Sequence, residues 1–182
     1  TYTLTQADVG SVITVTASYT DGEGTPESMS SDATSAVVNV NDDPPGAVTI
    51  SGTAMEDQTL TASNDLSDED GLGAINYQWN RNGNTIDGTT DATYTLTQAD
   101  VGAVITVSAS YTDAQGTAEN VTSAATNSVA NVNDAPAGTV TISGAADEDQ
   151  TLTASNDLSD EDGIPAANLI IYQWNRDGVV ID

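Results

Sequence analysis

Cysteine, histidine and lysine are all absent from this 182-residue chain, and its only two cations are Arg81 and Arg176. Without cysteine there is no disulfide and no thiol chemistry. Without histidine the commonest general base and the usual zinc ligand are missing. The two arginines face 28 acidic residues, a formal charge of −26. A field of that sign repels nucleic acid and anionic lipid, so no nucleic-acid partner is expected. No apolar run approaches the roughly 20 residues that would insert into and span a membrane. No signal-peptide pattern is visible, and the opening stretch, "TYTLTQADVG", reads as the middle of a domain.

So acidic a composition first suggests disorder. Against that, Thr, Val and Ile are abundant, and apolar residues alternate in short runs. The better reading is a folded all-β protein that uses cations. The chain also repeats itself. "TYTLTQADVG" begins at Thr1 and again at Thr93, an offset of 92, and 30 positions are identical between residues 1–43 and 93–135. "GAVTISG" at Gly46 returns as "GTVTISG" at Gly138. "YQWNRNG" at Tyr77 returns as "YQWNRDG" at Tyr172, now 95 away, so the later copy carries three extra residues in "GIPAANLI". A period near 92 is too long for a solenoid and suits one small β-sandwich. The boundaries fall at "NVNDDPPG" (39–46) and "NVNDAPAG" (131–138), where proline ends a strand and stiffens the connection. Residues 1–43 then read as the C-terminal half of one domain. Residues 44–135 read as a complete one and 136–182 as the N-terminal half of the next.

Strands follow from alternation. In "VITVTASY", Ile13, Val15, Ala17 and Tyr19 share a face. In "INYQWN", Ile75, Tyr77 and Trp79 point inward and Asn76, Gln78 and Asn80 outward. Tyr94 and Leu96, Leu60 and Ala62, and Val48 and Ile50 extend the apolar set, with "SVANV" expected as the last strand. Asn82-Gly83 is a tight hairpin signal. Short strands punctuated every 8 to 12 residues or so predict an antiparallel sandwich. Alternation makes Trp79 and Trp174 core residues rather than sugar-stacking platforms. Asp8 and Asp100 are expected to hold corner turns. Arg81 and Arg176 are expected to pair with carboxylates, at little gain if exposed. Asn120-Val121-Thr122 is a glycosylation sequon by pattern only.

A core Trp in "YQW", then "YTLTQADVG" with its corners Asp8-Val9-Gly10 and Asp100-Val101-Gly102, resembles the immunoglobulin-like pattern. Val12 or Val104 stands where that family's corner tyrosine falls, and Thr14 or Thr106 where its cysteine falls, leaving a disulfide-free version. "VNVNDDPP" and "VNVNDAPA" resemble the Asn-Asp-x-Pro linkers of cadherins, and "SDEDG" resembles a stretch of bacterial cadherin-like repeats. Together the chain resembles the tandem repeats of giant RTX-type bacterial adhesins. The resemblance implies an extracellular, cell-surface location and calcium held at the junctions between domains.

The residues agree with that ion. Calcium takes six to eight oxygens, which clustered Asp, Glu and Asn on loops supply. Three loop groups stand out as ligand candidates. They are the linker Asn41, Asp42 and Asp43 (Asn133 and Asp134 in the later copy); Glu56 and Asp57 (Glu148 and Asp149); and Asp68, Glu69 and Asp70 (Asp160, Glu161 and Asp162). Asp113, with its counterpart Asp21, opens a further loop that serves either as a ligand or as a turn. Neither the EF-hand spacing nor the glycine-rich nonapeptide is present.

The expected function is structural: a non-enzymatic, calcium-rigidified spacer of a surface adhesin or filament. The alternative is a glycan- or cell-binding adhesion module, which would need exposed aromatics. A glycosidase would need two carboxylates flanking a cleft, and the acids here sit in repeated loops. The expected partners are neighbouring copies of the repeat. The two half-domains together supply nearly a whole one, lacking only the counterparts of "GTTDA" (88–92), so end-to-end assembly of chains is a further expectation.

Overall fold

The computed structural model describes residues 1–164 and 170–181. Most of the "GIPAANLI" insertion therefore lies outside the described residues. The described chain is all-β with antiparallel sheets and holds no α-helix. Among the described residues no helix is long and apolar enough to cross a membrane.

Residues 44–135 form two sheets. One is three-stranded, β3-β4-β7, from β3 (Val48–Ser51), β4 (Thr59–Asn64) and β7 (Thr93–Thr95). The other is four-stranded, β6-β5-β8-β9, from β5 (Asn76–Arg81), β6 (Asn84–Thr85), β8 (Ile105–Thr112) and β9 (Ala118–Thr122). Val48, Leu60 and Ala62 of the first sheet meet Trp79, Ile105, Val107, Ala109 and Tyr111 of the second in one buried cluster. Strict alternation along β8, buried and half-buried in turn, sends every second side chain into that cluster. Trp79 is completely buried, its ring tilted on Tyr94 at 5.7 Å between centroids. Its indole N–H donates to the Asp91 carbonyl at 2.9 Å, so no polar atom of the ring is left unpaired.

The β5–β6 hairpin turns on Asn82 (φ 48°) and Gly83 (φ 79°), both left-handed as a two-residue turn requires. The "SVANV" stretch is not a laddered strand. It is extended and makes two parallel bridges, Val129 to Val101 and Ala130 to Met55, which carry the chain across to the β3–β4 turn before it leaves the sandwich.

The flanking segments hold pieces of the same ladders. Residues 1–43 carry β1 (Thr16–Thr20) paired with β2 (Pro26–Ser30). Residues 136–181 carry β10 (Val140–Ser143) paired with β11 (Thr153–Asn156), and β12 (Asn175–Arg176) paired with β13 (Val179–Val180). β10 and β11 pair in the same register as β3 and β4, shifted by 92 residues: Val140 faces Asn156 as Val48 faces Asn64. Glycine is required where the loop after β4 folds back. A Cβ on Gly73 would stand 2.0 Å from the Thr112 carbonyl oxygen, so only glycine lets that loop lie against the end of β8.

Candidate metal centre

The second linker gathers carboxylates from three elements. Glu56 lies in the β3–β4 turn, Asp134 in the linker, and Glu161 in the loop after β11; one oxygen from each lies within 4.8 Å of the others. Oxygens bound to one calcium at 2.3–2.6 Å stand up to about 5 Å apart, so this spacing fits a shared ion. Glu56 is the buried member, 2% exposed. The turn that places it is tight: Asp57 adopts φ 62°, a left-handed conformation that Asp tolerates. Its neighbour Glu56 is buried while Asp57 itself is exposed. The Glu56 N–H donates to the Ala130 carbonyl, and Glu56 Oε2 accepts from the Val132 N–H at 3.2 Å. The hairpin of one sandwich and the outgoing linker are therefore fastened together at the site.

A second device recurs at both linkers. The Asp42 N–H donates to Asp70 Oδ2 at 2.9 Å, and the Asp134 N–H donates to Asp162 Oδ2 at 2.8 Å. In each loop the first aspartate holds the third in place: Asp68 Oδ1 accepts from the Asp70 N–H, and Asp160 Oδ1 from the Asp162 N–H. The other oxygen of each clasp takes a side-chain amide. Gln6 donates to Asp70 Oδ1 at 2.8 Å, and Asn131 donates to Asp162 Oδ1 at 2.6 Å.

Beside the first linker lies a further acidic group. Tyr111 donates its hydroxyl to Asp68, and burial, that bond and the fields of Asp68, Glu119 and Asp113 drive the phenol far above its ordinary range. Glu119 accepts from the Asn41 amide at 2.9 Å. Asp113 is 6% exposed; its Oδ1 accepts from the N–H groups of Gln115 and Thr117, while Oδ2 is buried with no hydrogen-bond partner. Asn39 Oδ1 and Gln98 Oε1 are buried without partners as well.

These acids have no cation to neutralise them. Among the described residues the one salt bridge is Arg81 Nε to Asp100 Oδ1 at 2.7 Å. Asp100 is fully buried, so this pair is not the exposed, weak kind. Burial would push the Asp100 carboxyl up. The Arg81 guanidinium, the Thr97 N–H and the Tyr94 hydroxyl outweigh it and hold the carboxyl below the usual range. A buried carboxylate without such a partner is costly unless something positive is bound. At the second linker the donors are all oxygen, the set that suits a hard divalent cation and not a soft one. The group of Glu56, Asp134 and Glu161 can thus hold a metal ion.

The expected ligand residues divide as follows. Glu56, Asp134 and Glu161 converge, with Asp160 and Asp162 bracing their loop. Asp42, Asp68, Asp70, Asn41 and Asp113 surround the first linker, beside exposed Glu69. Asp43 and Asp57 are exposed. Asn133 donates to the Asp134 carbonyl. Glu148 and Asp149 form the exposed β10–β11 turn, where Asp149 repeats the left-handed φ of Asp57 at 66°. Four residues at the linkers escaped the sequence reading: Gln6, Asn39, Glu119 and Asn131. Asn39 and Asn131 open the same "NVND" motif whose later members were singled out, so position in the motif would have found them. Glu119 sits in a strand, where nothing local marks it.

No family model, curated protein or solved structure matches the chain.

Proposed function

We propose that the chain is a non-enzymatic structural repeat whose linkers bind calcium, a spacer in an extracellular bacterial surface adhesin or filament. Its sandwiches are read as immunoglobulin-like and cadherin-like modules of about 92 residues. One observation carries the reading: three carboxylates from successive parts of the chain, hairpin, linker and following loop, meet within a single ion's reach. An ion there would tie Glu56 of one sandwich to Glu161 of the next through Asp134. Calcium supplies charge neutralisation and geometric constraint; the chain's residues supply the oxygens and the clasp that orients them. Neutralised, the junction stiffens. Empty, its carboxylates repel across distances shorter than the roughly 8–10 Å over which physiological salt screens charge. The donor set, the buried Glu56 and the scarcity of cations all support this.

The adhesion alternative has less support: Trp79 is completely buried, and the exposed aromatics among the described residues, Tyr2, Tyr19 and Tyr172, are not gathered on the central sandwich.

Small-angle scattering and thermal melting, each with calcium and then with chelator, test the reading. Calcium should raise the melting temperature and lengthen the particle, and the chelator should reverse both. Unchanged melting and dimensions would sink it.

A further inference from the structure

We propose that Asn82-Gly83, at the tip of the β5–β6 hairpin, is a self-modifying site: the Gly83 backbone nitrogen attacks the Asn82 side chain, and water completes its conversion to aspartate and isoaspartate. This is the one Asn-Gly pair in the chain. The residue after the asparagine governs such a reaction, because its side chain crowds the attack of its own nitrogen, and glycine has none. Beyond the chain neighbours, no atom lies within 4 Å of the position a Gly83 Cβ would take. Asn82 and Gly83 are both exposed.

Ring closure needs a free nucleophile, a polarised carbonyl and an unheld leaving group. Among the described residues the Gly83 N–H makes no hydrogen bond. The Val104 N–H donates to Asn82 Oδ1 at 3.1 Å, which draws electron density from Cγ. The tip must also open to bring nitrogen and Cγ together, and it is weakly held. β6 has two residues, both exposed, and lies at the edge of its sheet with β5 as its one neighbour. Such edges belong to the low-stability end of native opening.

The Gly83 nitrogen gives its proton to solvent and bonds to Asn82 Cγ, and Nδ2 leaves as ammonia. The product is a five-membered succinimide. Water then opens one of its two carbonyl–nitrogen bonds. One opening leaves an aspartate at position 82. The other leaves isoaspartate, with the backbone running through Cβ. One water is consumed, one ammonia is released, and nothing is oxidised or reduced.

The two products differ in consequence. Aspartate suits the turn: Asp177-Gly178 adopts φ 49° and 79° at the tip of the β12–β13 hairpin, as Asn82 and Gly83 adopt 48° and 79°. It also keeps an oxygen for the Val104 N–H. Isoaspartate adds a backbone atom to a two-residue turn closed by Arg81 and Asn84, and Arg81 is the partner of buried Asp100. No linker carboxylate takes part, so the site stands apart from the calcium reading.

The test is to age the full chain at neutral and mildly alkaline pH, beside a free peptide of residues 78–87. Mass spectrometry follows the gain of one mass unit and locates it by fragmentation. Isoaspartate is counted by enzymatic methylation. Asn82 should convert about tenfold or more faster than any other asparagine, since only there does glycine leave the nitrogen uncrowded. The rate should rise with pH, because the nitrogen must lose its proton. Methyl acceptance should rise in parallel, and in Asn82→Ser both signals should fall. Asn82→Asp should melt like the parent. Retention of the Asn82 amide in the folded chain while the peptide loses it would overturn the proposal by showing the turn to be locked. So would faster conversion at another asparagine, or an Asn82→Asp chain that melts well below the parent.

Discussion

Glu56 and Val132 lie 76 positions apart and are joined by one bond, from the Val132 N–H to Glu56 Oε2. The same carboxylate belongs to the acidic trio with Asp134 and Glu161. One side chain therefore both fixes the linker's exit and offers an oxygen to an ion, and substitution separates the two jobs. Glu56→Gln keeps an acceptor for Val132 and removes a charge. In chelator it removes a buried charge beside two like charges, so it should be as stable as the parent or up to about 1 kcal/mol more stable, and it should weaken calcium binding by about tenfold or more, since affinity follows ligand charge. Glu56→Ala loses both and should melt lower in either condition. Isothermal titration with calcium, paired with melting in chelator, checks this. Equal calcium affinity in the parent chain and Glu56→Gln would remove Glu56 from the site.

The Arg81–Asp100 pair sets an acid limit on the sandwich. The Asp100 carboxyl is held below its ordinary range in the fold and titrates normally, near 4, when unfolded. Its contribution to stability is complete above that unfolded value and drains away as pH falls through the lower folded one. Arg81→Met removes the guanidinium and leaves a buried carboxylate held by neutral donors. The loss should be about 3 kcal/mol near neutral pH, the usual scale for orphaning a buried charge. The acid-unfolding midpoint should also move to higher pH. Urea titrations at several pH values measure both; a midpoint unmoved by Arg81→Met would show that the neutral donors suffice.

Trp79 is the largest side chain of the core and is completely buried. Trp79→Ala should cost about 3–5 kcal/mol from lost burial and the cavity left behind. Trp79→Phe also leaves the Asp91 carbonyl without its indole donor and should cost less, because most of the ring volume is kept. Denaturant midpoints order the two. If the Phe variant proved the weaker, the hydrogen bond would outrank the packing.

Much of the sandwich is written in local pattern. Alternation marks Ile105, Val107, Ala109 and Tyr111 as one face because a strand's side chains have period two, and all four are buried. Asn82-Gly83 announces its turn for equally local reasons. The site is less legible because long-range contacts assemble it. Glu56 and Asp57 are adjacent and chemically alike, yet Glu56 is buried against the outgoing linker at Ala130 and Val132 while Asp57 is exposed. Glu119 joins Asn41 across 78 positions. Arg81 is expected to pair with a carboxylate, but only the fold shows that the partner is Asp100 and that it is buried. "SVANV" alternates like a strand, but it crosses between sheets and finds only isolated bridges.

Asp113 allows a prediction whose sign depends on the ion. Its Oδ1 already serves a turn by accepting from Gln115 and Thr117, as Asp21 Oδ1 does for Glu23 and Thr25. Its Oδ2 is the buried oxygen without a partner. Asp113→Asn keeps the turn's acceptor and replaces a buried negative charge among Asp68, Glu119 and the Tyr111 hydroxyl with a neutral amide. In chelator that change relieves repulsion and desolvation, so the variant should be as stable as the parent or up to about 1 kcal/mol more stable. In calcium the order should reverse if Oδ2 is a ligand, because an amide nitrogen cannot take its place on a hard cation. Melting curves of both proteins in both conditions decide it: a crossing of the two orders assigns Asp113 to the metal, and parallel behaviour leaves it a turn residue alone.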